Sequence, residues 1–137
     1  LESKKVYENV AFAMEVCWYT DPIIKKKVPE ALEKVWLLMK RDKFIYELSW
    51  WEKQRVAIAR ALVHDPKMII ADEATWNLDP TTAREIMDIF MDINLDWKTV
   101  IMATHDKNIV NSLKKRVVTF DNKQVVSDIE KWTYNLD

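Results

Sequence analysis

Glycine is absent from this chain of 137 residues. At an average usage of ~7% a chain of this length holds roughly ten, placed where the backbone turns left-handed or must approach another group closely. Cysteine occurs once, at Cys17, which excludes an internal disulfide. With no charged-then-apolar leader in view, a reducing cytoplasmic setting is expected. No apolar run approaches the ~20 residues of a membrane-spanning helix, so any membrane association must come through a partner. Neither sign of charge dominates: 21 basic residues stand against 22 acidic ones, a net charge of -1. Such a surface offers no long-range attraction for polyanions, and nucleic acid is not expected as a partner. The chain opens on Leu1 rather than methionine, from which we expect that part of the protein precedes it.

What is present divides by period. Val6, Val10, Ala13, Met14 and Cys17 recur at helical spacing, and the spacing predicts an amphipathic helix from Val6 to Cys17. Asp21-Pro22 is a cap followed by a first-turn proline, opening a helix expected over Ile23 to Met39 with Val28, Leu32, Val35 and Met39 on one face, and with Pro29 as a point of kinking or splitting. Ser49 to His64 carries the stripe Val56, Ala59, Leu62 and Val63 against Lys53 and Arg60, a third helix. The pattern then changes. Met68-Ile69-Ile70-Ala71 and Thr99-Val100-Ile101-Met102-Ala103 are short continuous apolar runs, as in strands buried on both faces of a parallel sheet. Asp79-Pro80 begins a helix between them that runs to about Ile93. Asp106 to Lys115 reads as a short helix, and Val117 to Val126 as a hairpin around Asp121-Asn122-Lys123. The fold class expected is α/β.

Several positions carry chemistry. The strand from Met68 ends in Asp72 and Glu73, which puts two acids at the carboxyl edge of a parallel sheet, where open α/β sheets bind ligands. An acid there can help hold Mg²⁺ and its neighbour can polarise a water; equally, paired acids can mark the point where a strand leaves the core for solvent. Ser49 with Glu52 three residues later fits a capping box, which starts a helix well and also leaves its first backbone N–H groups free for a phosphate. His105 lies just beyond the second strand, at an edge suited to sensing a phosphate, although a histidine in such a loop is often structural. Asp79 has the plain role of a helix cap.

Taken together these residues resemble the ABC-type ATPases. Leu48-Ser49-Trp50-Trp51-Glu52 looks like the signature Leu-Ser-Gly-Gly-Glu of that family, continued by Gln54-Arg55-Val56-Ala57-Ile58-Ala59-Arg60-Ala61-Leu62. Met68 to Glu73 looks like its Walker B strand with the catalytic glutamate, Asn77-Leu78-Asp79 like its D-loop, and Thr104-His105-Asp106 like its switch histidine. Val6 to Val10 and Met102 to His105 are most similar to the cell-division branch of the family, whereas lipoprotein-release and macrolide-export branches share much of the pattern. The resemblance implies a P-loop NTPase of ABC type: a helical subdomain over about 6–60 with the signature, and over about 61–137 the second part of the core with a partial parallel sheet. It implies ATP and Mg²⁺ as ligands. Asp72 would help bind the metal, Glu73 would act as general base, and His105 would contact the γ-phosphate. Ser49, positions 50 and 51 and Glu52 would address ATP held by a second subunit, with Asp79 across the interface. It further implies a homodimer closing on ATP, an integral membrane subunit as partner, and a peripheral place on the cytoplasmic face of the membrane.

Two departures stand out. No Gly-x-x-x-x-Gly-Lys-Ser/Thr loop occurs in these residues, so this stretch alone is not expected to hold ATP. Trp18, Trp36, Trp50, Trp51, Trp76, Trp97 and Trp132 all fall where the resembled family usually has glycine. A single cause accounts for both the missing glycine and the abundant tryptophan: UGA, read as glycine in some bacterial lineages and as tryptophan in others. The rival is a decayed copy that carries tryptophan in fact and serves as an inactive scaffold.

Overall fold

The computed structural model describes residues 3–130, so Trp132 lies outside the described residues. The elements in chain order are α1 (Val6–Glu15), α2 (Asp21–Lys34), α3 (Trp50–Leu62), β1 (Met68–Asp72), α4 (Pro80–Leu95), β2 (Thr99–Ala103), α5 (Lys107–Leu113), β3 (Val117–Asp121) and β4 (Gln124–Ile129). They fall into two compact units, Leu1–Ala103 and Thr104–Asp137.

In the first unit α1, α2 and α3 pack on one another. The residues that periodicity assigns to their inner faces, Val6, Val10 and Met14, then Val28, Leu32 and Val35, then Val56, Ala59, Leu62 and Val63, are all buried. Asn9 is a buried polar residue among them. Its side-chain amide is satisfied by donating to the carbonyls of Lys5 at 3.1 Å and Lys4 at 3.3 Å. Pro29 does not split α2, which runs through it to Lys34.

The ends of α1 and α2 depart from the expected limits for a common reason. Trp18 (φ 60°) and Trp36 (φ 57°) are left-handed. The amide of Trp18 donates to the Glu15 carbonyl at 3.0 Å and that of Tyr19 to the Met14 carbonyl at 3.3 Å. Around Trp36 the same pair recurs, Trp36 to Glu33 at 2.9 Å and Leu37 to Leu32 at 2.8 Å. This is the Schellman pattern, in which one left-handed residue just past the helix lets two amides satisfy its last carbonyls. It turns the chain away, so Cys17 and Met39, expected on the inner faces, are exposed. Trp97 (φ 62°) follows α4 in the same conformation, its amide donating to Asn94 at 3.1 Å. A residue with a Cβ in this region is disfavoured by about 1–2 kcal/mol.

β1 and β2 are parallel neighbours, with Met68 opposite Thr99 and Asp72 opposite Ala103. α4 packs against β2 and buries Ile86, Ile89, Phe90 and Ile93. The strands were expected to be covered on both faces, and they are not. Ile69 and Ala71 are buried, whereas Met68, Ile70 (73% exposed) and Ile101 face solvent. The side-chain alternation of a strand sends the two sets to opposite faces, and in the described residues one face lacks a covering layer.

The second unit begins with α5, capped by Asp106, whose carboxylate accepts from the amide of Asn108 at 2.8 Å and of Ile109 at 3.4 Å. β3 and β4 form the expected antiparallel hairpin, turning through Asn122 and Lys123, both at positive φ. That is the geometry of a two-residue turn matched to strand twist. Arg116 clamps the hairpin with two parallel bonds to Asp128, at 2.8 and 2.6 Å.

Candidate functional site

Helix α3 begins at Ser49, whose extended backbone (φ -63°, ψ 164°) makes it the residue before the first turn. The Glu52 carboxylate accepts from the Ser49 amide at 3.0 Å and from its hydroxyl at 2.9 Å, while its other oxygen accepts from Lys40. Partial burial pushes the Glu52 carboxyl up, and the bonds from Lys40 and Ser49 outweigh it, holding the group below the usual glutamate range. A charged Glu52 therefore fixes Ser49 at a helix start whose dipole and free amides favour an anion.

The first two residues of α3, Trp50 and Trp51, line an open groove together with Trp76, Asn77, Leu78 and Asp79. The fold thus brings the start of α3 against the loop that leads into α4. Asp79 caps α4, accepting from the amides of Thr81 at 3.0 Å and Thr82 at 3.1 Å and from the Thr82 hydroxyl. The Thr82 side chain leads the bonds that hold its carboxyl below the ordinary aspartate value. Trp76 and Leu78 belong to the groove as much as Asp79 does. Periodicity could not reveal them, because their nearness to α3 is made by tertiary packing.

At the carboxyl end of β1, Asp72 is exposed and shares the strand face of Met68 and Ile70. Glu73 follows at φ 47°, half-buried, its amide donating to the Ala103 carbonyl at 2.9 Å. The bond extends the parallel ladder by one residue before the chain turns through Trp76, whose amide donates to the Glu73 carbonyl at 2.9 Å. The two acids therefore stand consecutively at the carboxyl edge of the parallel pair, the edge at which open α/β sheets bind ligands. Among the described residues no three His, Cys, Asp or Glu side chains gather as a metal cage. Asp72 is nonetheless a hard oxygen donor of the kind Mg²⁺ takes singly, keeping water in its remaining positions. His105 belongs to the second unit and is exposed.

This arrangement of helices on a parallel β-α-β unit is that of an ABC-type P-loop NTPase domain. The structure superposes on cbiO1 of Clostridium perfringens, part of the ABC transporter complex cbiONQ, with a TM-score of 0.86 at 35% identity, covering 92% of this chain and 51% of that one. It also matches the ATP-binding cassette MJ0796, solved as a dimer bound to ADP and phosphate, with a TM-score of 0.78 at 29% identity over 98% of this chain and 60% of that one. A family model described as ABC transporter matches residues 1–76. The chain belongs to the ABC transporter family. It is 49% identical over its full length to the cell division ATP-binding protein FtsE of Streptococcus pneumoniae, of which it spans 60%. It is 42% identical over 127 residues to the methionine import ATP-binding protein MetN 1 of Staphylococcus epidermidis, covering 92% of this chain and 37% of that one.

Proposed function

We propose that the whole protein is the ATP-hydrolysing subunit of an ABC complex acting in cell division, as FtsE does, with an FtsX-like integral membrane subunit. The observation that carries this reading is the 49% identity to FtsE along all 137 residues. In this reading the helical subdomain spans about 6–60 and the second part of the core about 61–137. Two copies close head to tail on ATP. Ser49 and the backbone at 50 and 51 address the γ-phosphate held by the other copy, with Asp79 at the same interface. Asp72 supplies one ligand to Mg²⁺, which neutralises phosphate charge when bound. Glu73 accepts the proton of the attacking water as its oxygen bonds to the γ-phosphorus and the bond to ADP breaks, and His105 orients the γ-phosphate. The protein would sit at the cytoplasmic face of the membrane through its partner.

The test is ATP turnover by the full-length gene product and its co-purification with a membrane subunit encoded beside it. Turnover with capture of a methionine-import permease instead would favour the MetN-like reading that the 42% identity supports. The lipoprotein-release and macrolide-export transporters are further outcomes of the same capture. Absence of turnover would favour the scaffold reading, for which the exposed indoles of Trp50 and Trp51 in the groove speak.

A further inference from the structure

We infer that the polypeptide made in its own cell carries glycine at positions 18, 36 and 97, and by the same decoding at 50, 51, 76 and 132. Trp18, Trp36 and Trp97 are three of the six tryptophans among the described residues, and all three have a left-handed backbone. Only a few per cent of non-glycine residues adopt it, with asparagine, aspartate and histidine enriched, so three such coincidences among six residues of one bulky type arise by chance roughly once in a hundred cases or fewer. Positive φ by itself is not diagnostic, since Lys114 and Lys123 share it. Nor is the place past a helix, which Asp65 after α3 and Lys114 after α5 also hold; what singles out the tryptophans is that one bulky residue type holds it three times. Each follows a helix as the residue whose amide closes the last turn, the position at which glycine is strongly enriched.

Burial points the same way. Tryptophan is a largely buried residue on average, yet every described one is exposed, from 42% at Trp51 to 97% at Trp97. None contributes to the core. A docking surface for a membrane or a partner would explain exposure, and Trp50, Trp51 and Trp76 do share a groove. It would not explain why the remaining three sit past the ends of α1, α2 and α4 in the one conformation that penalises a side chain. With glycine at 50 and 51 the first amides of α3 are open to close approach, which two indoles obstruct. One decoding event, a codon read as glycine in the cell and written as tryptophan, covers all these sites, and with that codon used for every glycine of this stretch it covers the absence of glycine as well.

The test is peptide mass spectrometry of the full-length protein purified from its own organism, read beside the gene. The expected result is that peptides spanning 18, 36 and 97 are each lighter by the tryptophan-to-glycine difference, with TGA at those codons and at 50, 51, 76 and 132. Tryptophan mass at 18, 36 or 97, or TGG codons there, overturns the inference. Glycine at those three with tryptophan at 50 and 51 overturns the single decoding. A second readout uses recombinant full-length protein: the triple variant Trp18→Gly, Trp36→Gly, Trp97→Gly should melt higher than the tryptophan form, and an equal or lower melting temperature counts against it.

Discussion

Arg55 on α3 is ion-paired with Glu85 on α4, and its guanidinium also lies 5.1 Å from the ring centroid of Trp36. The arginine is mostly buried while the glutamate is half exposed, and the arginine's Nε has no hydrogen-bond partner. The two partners are therefore unequal. Glu85→Ala leaves a buried cation without its counter-ion and should cost about 1–2 kcal/mol. Arg55→Met leaves only a carboxylate that solvent can reach, and should cost less. Denaturant unfolding of both variants and of the double variant checks this. Equal losses from the two single changes would mean that burial of Arg55 does not set the cost.

In the full-length protein, Glu73→Gln should retain ATP binding and nearly abolish turnover, because the amide keeps the shape and loses the base. Asp72→Asn should instead weaken Mg²⁺-dependent binding, since one charge of the metal site is lost. Titration of nucleotide with and without Mg²⁺, beside steady-state turnover, separates the two. Indistinguishable profiles would mean that the roles are wrongly divided.

Acid should loosen the first unit through five carboxylates held low in the folded state, Glu47, Glu52, Asp65, Asp79 and Asp96, of which Glu52 and Asp79 belong to the site. The folded state holds Glu52 below its ordinary 4.5 and Asp79 below its ordinary 3.8. A lowered folded pKa gives stability that is full above the unfolded value and lost as pH falls toward the folded one. Stability should therefore be flat from neutral pH to about 5 and decline below. Asp79→Asn, which keeps an acceptor for the amides of Thr81 and Thr82, should shallow that decline, and Lys40→Met should shallow the Glu52 part. Unfolding curves across the acid range provide the measurement. Unchanged slopes would assign the acid limb to other groups.

Trp18→Gly should raise stability by about 1 kcal/mol, because the left-handed penalty is relieved and a 93% exposed indole has little packing to lose. Trp36→Gly should gain less, since its stack on Arg55, about 0.5–1 kcal/mol, is given up. Thermal melts that rank the two in the opposite order would contradict this assignment of costs.

Residues 1–137 on their own should show no saturable ATP binding at micromolar concentrations. Most phosphate contacts in P-loop ATPases come from a glycine-rich loop that this stretch does not contain. Calorimetry is the direct check, and a saturable isotherm would require a different phosphate site.

Where the chain states its structure locally, it could be read. Asp79-Pro80 announces α4 because a capping side chain and a preset φ act within a few residues. Asp21-Pro22 announces α2 through the proline of its first turn, whereas Asp21, expected as the cap, is the first helical residue and the cap position is Thr20, whose side chain makes no capping bond. Ser49 and Glu52 were legible for the same reason. The end of α2 was not. Periodicity carries on to Met39, and the signal that normally stops a helix, glycine, is replaced at position 36 by an aromatic residue that looks like helix or core. The open face of β1 was hidden too, since a continuous apolar run gives no sign of which face has a covering layer. In the site, Asp72 and Glu73 could be read from the strand that precedes them. The groove that joins Trp50 and Trp51 to Trp76 and Asp79 is made by packing between distant segments, and no spacing encodes it.

The uncovered side of the β1–β2 pair has a consequence for anyone handling these residues as a separate polypeptide. Ile70 and Ile101 present flat aliphatic surface beside strand edges whose amides and carbonyls can recruit another strand. Such a surface behaves as an adhesive at working concentrations and as bait for chaperones that bind extended aliphatic segments. Its light scattering should rise steeply with concentration, and a charged residue in place of Ile70 should suppress that rise without touching the α4 side of the sheet.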